Sequence, residues 1–319
     1  MSLENVGYNL YIKPNYLVNI PQFENRDGKT TYQRHQLDRN NQQNGEVSKA
    51  AQKKIRQSVN WLFVSAKKKR VYQKSTNKNF YFKLNFLTLT LPTTNHTISD
   101  NYFKKDLLHN FFNSCRYSFG LKNYVWKVEA QENGNIHCHI TTDTFMNYRE
   151  VTKVWNKILS KTDVINEFEK KFGHRNPPTT DIKAVKNVKD LRSYICKYLA
   201  KNEDGRRKIS GRIWGSNYNL SRAMKLKYEG RTEIFMKKGA EIDRIEDWTL
   251  NDINKIDLKW DTIWGKENDW GVKRALGEIY YLKENDWKKM PYKIKKLYDH
   301  ERFKIRNDIS PSSFVYEID

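Results

Sequence analysis

From residue 46 onward the sequence predicts an α+β domain built on a mainly antiparallel sheet. Two observations carry this reading: hydrophobic periods that switch between helical and strand-like spacing, and a turn signal at Asn133-Gly134 between two strand-like runs. The resulting order is helix, strand, helix, hairpin, helix, strand, helix.

Residues 1–45 are rich in Asn, Gln and Arg, show little periodicity and read as an irregular arm. In residues 46–72, Ala51, Ile55, Val59, Leu62 and Phe63 fall at helical spacing among lysines and arginines, which predicts a basic amphipathic helix. The run FYFKLNFLTLTLP alternates β-branched and aromatic residues until Pro92 stops it, and reads as a strand. Phe103, Leu107, Leu108, Phe111 and Phe112 form a helical stripe, opened by Asp100 and closed by Gly120. YVWKVEAQ and IHCHITTD flank ENGN as the arms of a hairpin.

Residues 149–172 read as helical, and NPPTTDIKAV as a loop entering a short strand. Asp190 is placed to cap a helix over LRSYICKYLAKN that ends near Asp204-Gly205. Residues 46–239 thus form one domain, and residues 240–319 an appended, mainly helical region rich in tryptophan (Trp248, Trp260, Trp264, Trp270, Trp287), with helices expected at 270–284 and 290–306.

The chain has 319 residues and a formal net charge of +22, and the charge is uneven. Residues 1–239 hold 44 Lys/Arg against 20 Asp/Glu, whereas residues 240–319 hold 15 against 17. A surface this basic favours a polyanion, because neutralising phosphates releases their condensed counterions. Nucleic acid is therefore the expected partner. With no apolar run long enough to span a bilayer and no hydrophobic segment at the N-terminus, a soluble cytoplasmic protein that does not engage membranes is expected. Cys115, Cys138 and Cys196 are scattered without a CxxC pair, so neither a disulfide framework nor a zinc ribbon is indicated.

His137 and His139 are one residue apart within a strand, so both imidazoles leave the same face of the sheet. Two such rings and one oxygen ligand would hold a divalent cation and leave positions open for phosphate and water. The candidate third ligand is Glu129 on the preceding strand, with Gln131 and Glu132 as alternatives. A two-residue loop would pair Ala130 with His137 and turn Glu129 away; a three-residue loop with a bulge would pair Glu129 with His139.

Tyr194 and Tyr198 lie four apart on the expected helix, each followed three residues later by a lysine, Lys197 and Lys201. A phenol ionises near pH 10, so it becomes a useful nucleophile only beside a cation that favours the phenolate and an electrophile that metal has activated.

Taken together, these motifs resemble those of the HUH endonucleases, in particular the rolling-circle replication initiators of phages and plasmids in their two-tyrosine form. Phe86-Leu87-Thr88-Leu89-Thr90 resembles the first motif, a strand involved in DNA positioning. Glu129 to His139 resembles the metal motif, and Tyr194 to Lys201 the third. The resemblance spans about residues 46–225 and implies a central antiparallel sheet of five strands flanked by helices, with the histidines on a central strand.

It also implies Mg²⁺ or Mn²⁺ as cofactor, single-stranded origin DNA as partner, and sequence-specific nicking and rejoining through a 5′-phosphotyrosine in a bacterial cytoplasm. Gln131, Thr88 and Thr90, together with Arg212 and Trp214 in the segment ISGRIWGSNYNLSRA, become candidate DNA contacts. The chain carries no Walker A pattern, so unwinding would fall to a host helicase. Relaxases and single-strand transposases of the same superfamily fit less well. The reading from a different class is a non-catalytic basic protein that binds single-stranded nucleic acid.

Overall fold

The computed structural model describes residues 4–14, 16–24, 47–92, 98–186, 207–223, 227–228, 254–258, 277–281, 286–290, 292–306 and 315–318. In chain order its strands are β1 (Glu4–Ile12), β2 (Tyr16–Glu24), β3 (Lys69–Gln73), β4 (Lys78–Phe82), β5 (Leu84–Leu89), β6 (Tyr124–Ala130), β7 (Ile136–Thr142), β8 (Thr180–Val185), β9 (Trp214–Ser216), β10 (Lys227–Tyr228), β11 (Asn254–Leu258), β12 (Gly277–Tyr281) and β13 (Val315–Ile318). The helices are α1 (Lys49–Ser65), α2 (residues 100–119), α3 (Tyr148–Leu159), α4 (Asp163–Phe172), α5 (Tyr218–Ala223) and α6 (Tyr292–Arg306). Two compact units emerge, one from residues 1–39 and 222–304, the other from residues 40–221 and 305–319.

The second unit is built on a five-stranded sheet in the order β8-β5-β7-β6-β9, with every neighbouring pair antiparallel. The fold class is therefore α+β, as the sequence predicts, and the strand bearing the histidines is the middle one. Alternation divides each strand between two faces. Leu87, Leu89, Cys138, Ile140 and Val128 point to one face, which α2 and α3 cover: Phe112 stacks on Tyr124 at 4.3 Å, and Trp155 packs edge-on to Phe111 at 5.7 Å. The fully buried Trp155 also donates its indole N–H to Thr90 O at 3.0 Å, tying α3 to the end of β5. The opposite face carries Phe86, Thr88, His137, His139, Glu129 and Lys127.

Helix α2 is capped by Ser99, whose hydroxyl accepts from Tyr102 N, rather than opened by Asp100. It passes through a π-helical turn at Phe103–Leu107 and ends at Gly120, which takes φ 66° so that its N–H can close on Cys115 O. Near β9, Gly215 is required by close approach, since a Cβ there would lie 2.8 Å from Trp126 Nε1.

Several elements depart from expectation. The helix expected over residues 46–72 ends at Ser65, and Lys69–Gln73 is a strand paired with β4. The run FYFKLNFLTLTLP is two strands in two different sheets, parted at Lys83, whose N–H donates to Val185 O. The helix expected over 149–172 is two helices, with Ser160 closing α3. Residues 4–24, expected to be irregular, form the antiparallel pair β1–β2, which buries Leu10, Ile12 and Leu17.

The stretch expected to be helical around residue 280 contains the strand β12, paired with β2 and β11, whereas α6 does form where the second C-terminal helix is expected. In this first unit the Trp287 and Tyr298 rings stack at 3.7 Å, and Tyr298 donates its hydroxyl to Pro14 O. The helix expected over residues 191–202 lies outside the described residues, as do Trp248, Trp260, Trp264 and Trp270. Among the described residues no helix is long and apolar enough to cross a membrane.

Candidate metal centre

The loop between β6 and β7 sets the geometry. Gln131 N donates to Asn135 O at 2.7 Å, so the ladder runs on past β6 and leaves a three-residue loop of Glu132, Asn133 and Gly134. Gly134 takes φ 81°, the left-handed value that the third position of such a loop demands. The loop is thus of the three-residue kind but starts one residue earlier than expected, and Glu129 lies opposite His137 rather than His139. A shift of two in the pairing sum keeps the parity, and Glu129 shares the histidine face.

Glu129 Oε1 sits 2.8 Å from both His137 Nε2 and His139 Nε2, and the three ligand atoms all lie within 4.8 Å of one another. Two imidazole nitrogens and one carboxylate oxygen are a donor set suited to a divalent first-row ion, so the residues present fit Mn²⁺ well and Mg²⁺ through the carboxylate. Cys138, between the two histidines, is buried on the opposite face and takes no part.

Three further residues shape this cluster. Thr88, directly across from His139, places its hydroxyl 3.1 Å from Nδ1, and Phe86 stacks on the same ring at 5.3 Å. A hydroxyl can accept from Nδ1–H, which leaves Nε2 with its lone pair toward the carboxylate side. Lys127, 4% exposed and opposite His139, donates to Glu129 Oε2 at 3.2 Å. In the sequence Lys127 shows only its parity with Glu129, which does not announce this contact. Valine at Thr88 keeps the shape and removes the hydroxyl; isothermal titration of Mn²⁺ is expected to show about 10-fold or greater loss of affinity, with serine restoring it.

Burial opposes the Glu129 charge, but hydrogen bonds from His137 and His139 and the charges of His139 and Lys127 outweigh it, holding the carboxyl well below its ordinary range. Burial also lowers His139 from its ordinary 6.5, and the hydrogen bond to Glu129 only partly offsets this. Both groups therefore bind protons more readily in the unfolded chain, and the metal-free protein loses stability as pH falls. The His139 contribution is expected to be lost from about pH 6.5 downward and the Glu129 contribution below 4.5. Melting temperatures of the metal-free protein and its His139→Gln variant, compared between neutral and mildly acidic pH, check the first window: only the wild type should carry the His139 step.

The remaining candidate residues fall around this face. Trp214, half-buried on β9, lies across from Lys127, on the side of the histidines. Arg212 is exposed, donates Nε to Trp214 O at 2.7 Å and holds its guanidinium 5.8 Å from the Trp126 ring. Gln131 is half-buried at the hairpin end, with Oε1 buried and lacking a hydrogen-bond partner. Thr90 is fixed through its backbone, between Thr179 O and the Trp155 indole. Tyr194, Lys197, Tyr198 and Lys201 lie outside the described residues.

Arg207, just beyond the tyrosine segment, carries no motif in the sequence. Its guanidinium grips both oxygens of Asp100, at 2.8 and 3.1 Å, and donates to Gly134 O in the hairpin loop. Ser210 N adds a bond to Asp100. The chain leaving the tyrosine segment is thereby fastened to the metal hairpin.

No curated protein and no solved structure matches the chain. A family model does: residues 84–203, from the start of β5 through both tyrosines, are similar to the family of the replication-associated protein ORF2.

Proposed function

We propose that this chain initiates rolling-circle replication by cutting and rejoining single-stranded origin DNA through a 5′-phosphotyrosine. The observation that carries the reading is the convergence of Glu129, His137 and His139 on one face of the middle strand, inside the stretch similar to replication-associated proteins.

Glu129, His137 and His139 would hold the ion, with Thr88 and Phe86 fixing the His139 ring and Lys127 the second carboxylate oxygen. A divalent cation bound there supplies Lewis-acid polarisation of the scissile phosphate. Tyr194 or Tyr198 attacks phosphorus: the Oη–P bond forms, the P–O3′ bond breaks, the phenol gives up its proton and the 3′-oxygen leaves as a hydroxyl. Lys197 and Lys201 favour the phenolate and offset phosphate charge. One phosphate ester replaces another, so little free energy is lost and the freed 3′-hydroxyl can reverse the step; this is the chemical basis of rejoining. The second tyrosine permits a second attack, on the regenerated junction, while the first remains occupied.

Thr88, Thr90, Gln131, Arg212 and Trp214 are proposed to position the strand, and a host helicase to open the template. The test is to incubate the protein with Mn²⁺ and labelled single strands from its own replicon and to look for an adduct that survives denaturation. An adduct that requires Mn²⁺ supports the reading; tight, salt-sensitive binding without an adduct would leave a binding protein instead.

A further inference from the structure

Residues 47–99 contain no Asp or Glu, and residues 67–83 alone hold seven Lys/Arg. The structure folds this stretch into the β3–β4 hairpin, turned through Lys74–Thr76 and closed by Asn77 at φ 51°, whose side chain accepts from the Tyr72 hydroxyl at 2.7 Å. Alternation sorts the residues. Val71 and Phe82 are buried on one face, while Lys68, Arg70, Asn79 and Tyr81 are exposed, with Lys74 and Lys78 exposed at the turn. Among the described residues no carboxylate pairs with Lys68, Arg70 or Lys78. Glu317 of β13 lies at the register of Tyr72, one acidic residue beside four exposed cations.

We infer that the outer face of the β3–β4 hairpin is a second DNA-binding surface, separate from the metal centre, that grips the phosphates of duplex DNA flanking the strand to be cut. The inference rests on the proposed function for its setting but not for its chemistry. Four close cations repel one another unless a polyanion neutralises them, which is the charge complementarity that duplex phosphates supply.

A duplex fits better than a single strand. Platforms for single strands stack successive bases on several open aromatics. Here Tyr81 is the one large aromatic exposed on the hairpin, at 45%, and the Lys68 ammonium already sits 4.7 Å from its ring centre. A two-stranded ribbon with five residues per strand is about 16 Å long. It can enter a major groove about 12 Å wide with its cations toward both backbones.

The test uses the full-length chain with Lys68, Arg70, Lys74 and Lys78 all changed to Gln, a short duplex, and one strand of that duplex alone. Expected for the duplex are about 10-fold or greater loss of affinity and a salt dependence flatter by about 3 in the log–log slope, while single-strand binding stays within about twofold. An unchanged duplex slope, or equal losses on both probes, overturns the assignment. A companion variant with Lys68, Lys74 and Lys78 changed to Arg keeps the charge and is expected to keep duplex binding; if it also loses binding, charge is not the determinant and the inference falls. Tyr81→Ala weakening the single strand more than the duplex would make this face a stacking platform and refute the duplex. Because the readout is binding, a wild-type protein that forms no adduct but shows this pattern would remove the nicking reading and leave the hairpin surface standing.

Discussion

Replacing His139 with alanine is expected to abolish Mn²⁺-dependent adduct formation, by about a thousandfold or more, while leaving DNA binding within about threefold. The two effects part because different groups carry them. Metal polarisation of a phosphate contributes several kcal/mol to the transition state, and each 1.36 kcal/mol is about tenfold in rate. Affinity for DNA comes mainly from phosphate neutralisation by surface cations, and His139 is 3% exposed. The variant also removes the ring that stacks on Phe86 and leaves Glu129 with one imidazole partner fewer, so its melting temperature is expected to fall. Retained salt-dependent binding in the same preparation therefore serves as the folding control. Normal adduct formation by the variant would eliminate this cluster as the metal centre.

The metal cluster is legible in the sequence because it depends on parity. Side chains two apart in a strand share a face whatever the tertiary structure does, and a shift of pairing by two residues changes the partner without changing the face. What the sequence leaves open is where the loop begins. Asn133-Gly134 satisfies the centre of a two-residue turn and equally the last two positions of a three-residue one, and only the closure between Gln131 and Asn135 decides. Thr88 is legible as part of a motif strand, whereas its bond to His139 depends on the register of β5 against β7. Lys127 looks like an ordinary polar position of a half-buried strand.

Elsewhere the departures share a cause: short-range patterns do not say which sheet a strand joins. Alternation continues through Lys83 with no Gly or Pro to mark the division between β4 and β5, and tertiary pairing alone separates them. The residues of β12, GEIYY, are few enough to satisfy helical and strand periods alike, and pairing with β2, far away in the sequence, selects the strand. In β1 and β2, buried Leu10, Ile12 and Leu17 are diluted by asparagines and glutamines, which masks the alternation. The bridge from Arg207 to Asp100 and Gly134 joins positions far apart in the chain, beyond the reach of any local motif.

Changing both Tyr194 and Tyr198 to phenylalanine is expected to eliminate the covalent adduct altogether, with metal affinity and DNA binding unaltered. Phenylalanine keeps the ring and deletes only the hydroxyl, so the loss reads the nucleophile and not the packing around it. The single variants divide the roles. On a fresh single strand, the variant that loses the adduct identifies the tyrosine of first attack; the other should still form the adduct yet fail to release a closed circle, because closure requires a second phenol while the first is esterified. Gel analysis of adduct and circle from one reaction measures both. An adduct persisting in the double variant would place the nucleophile elsewhere in the chain, and equal behaviour of all three variants would refute the alternating pair. Because each attack exchanges one phosphate ester for another, the order of the two tyrosines is set by position rather than by energy supply, and Arg207, which fastens the exit of the tyrosine segment to the metal hairpin, is the residue through which that position would be perturbed next.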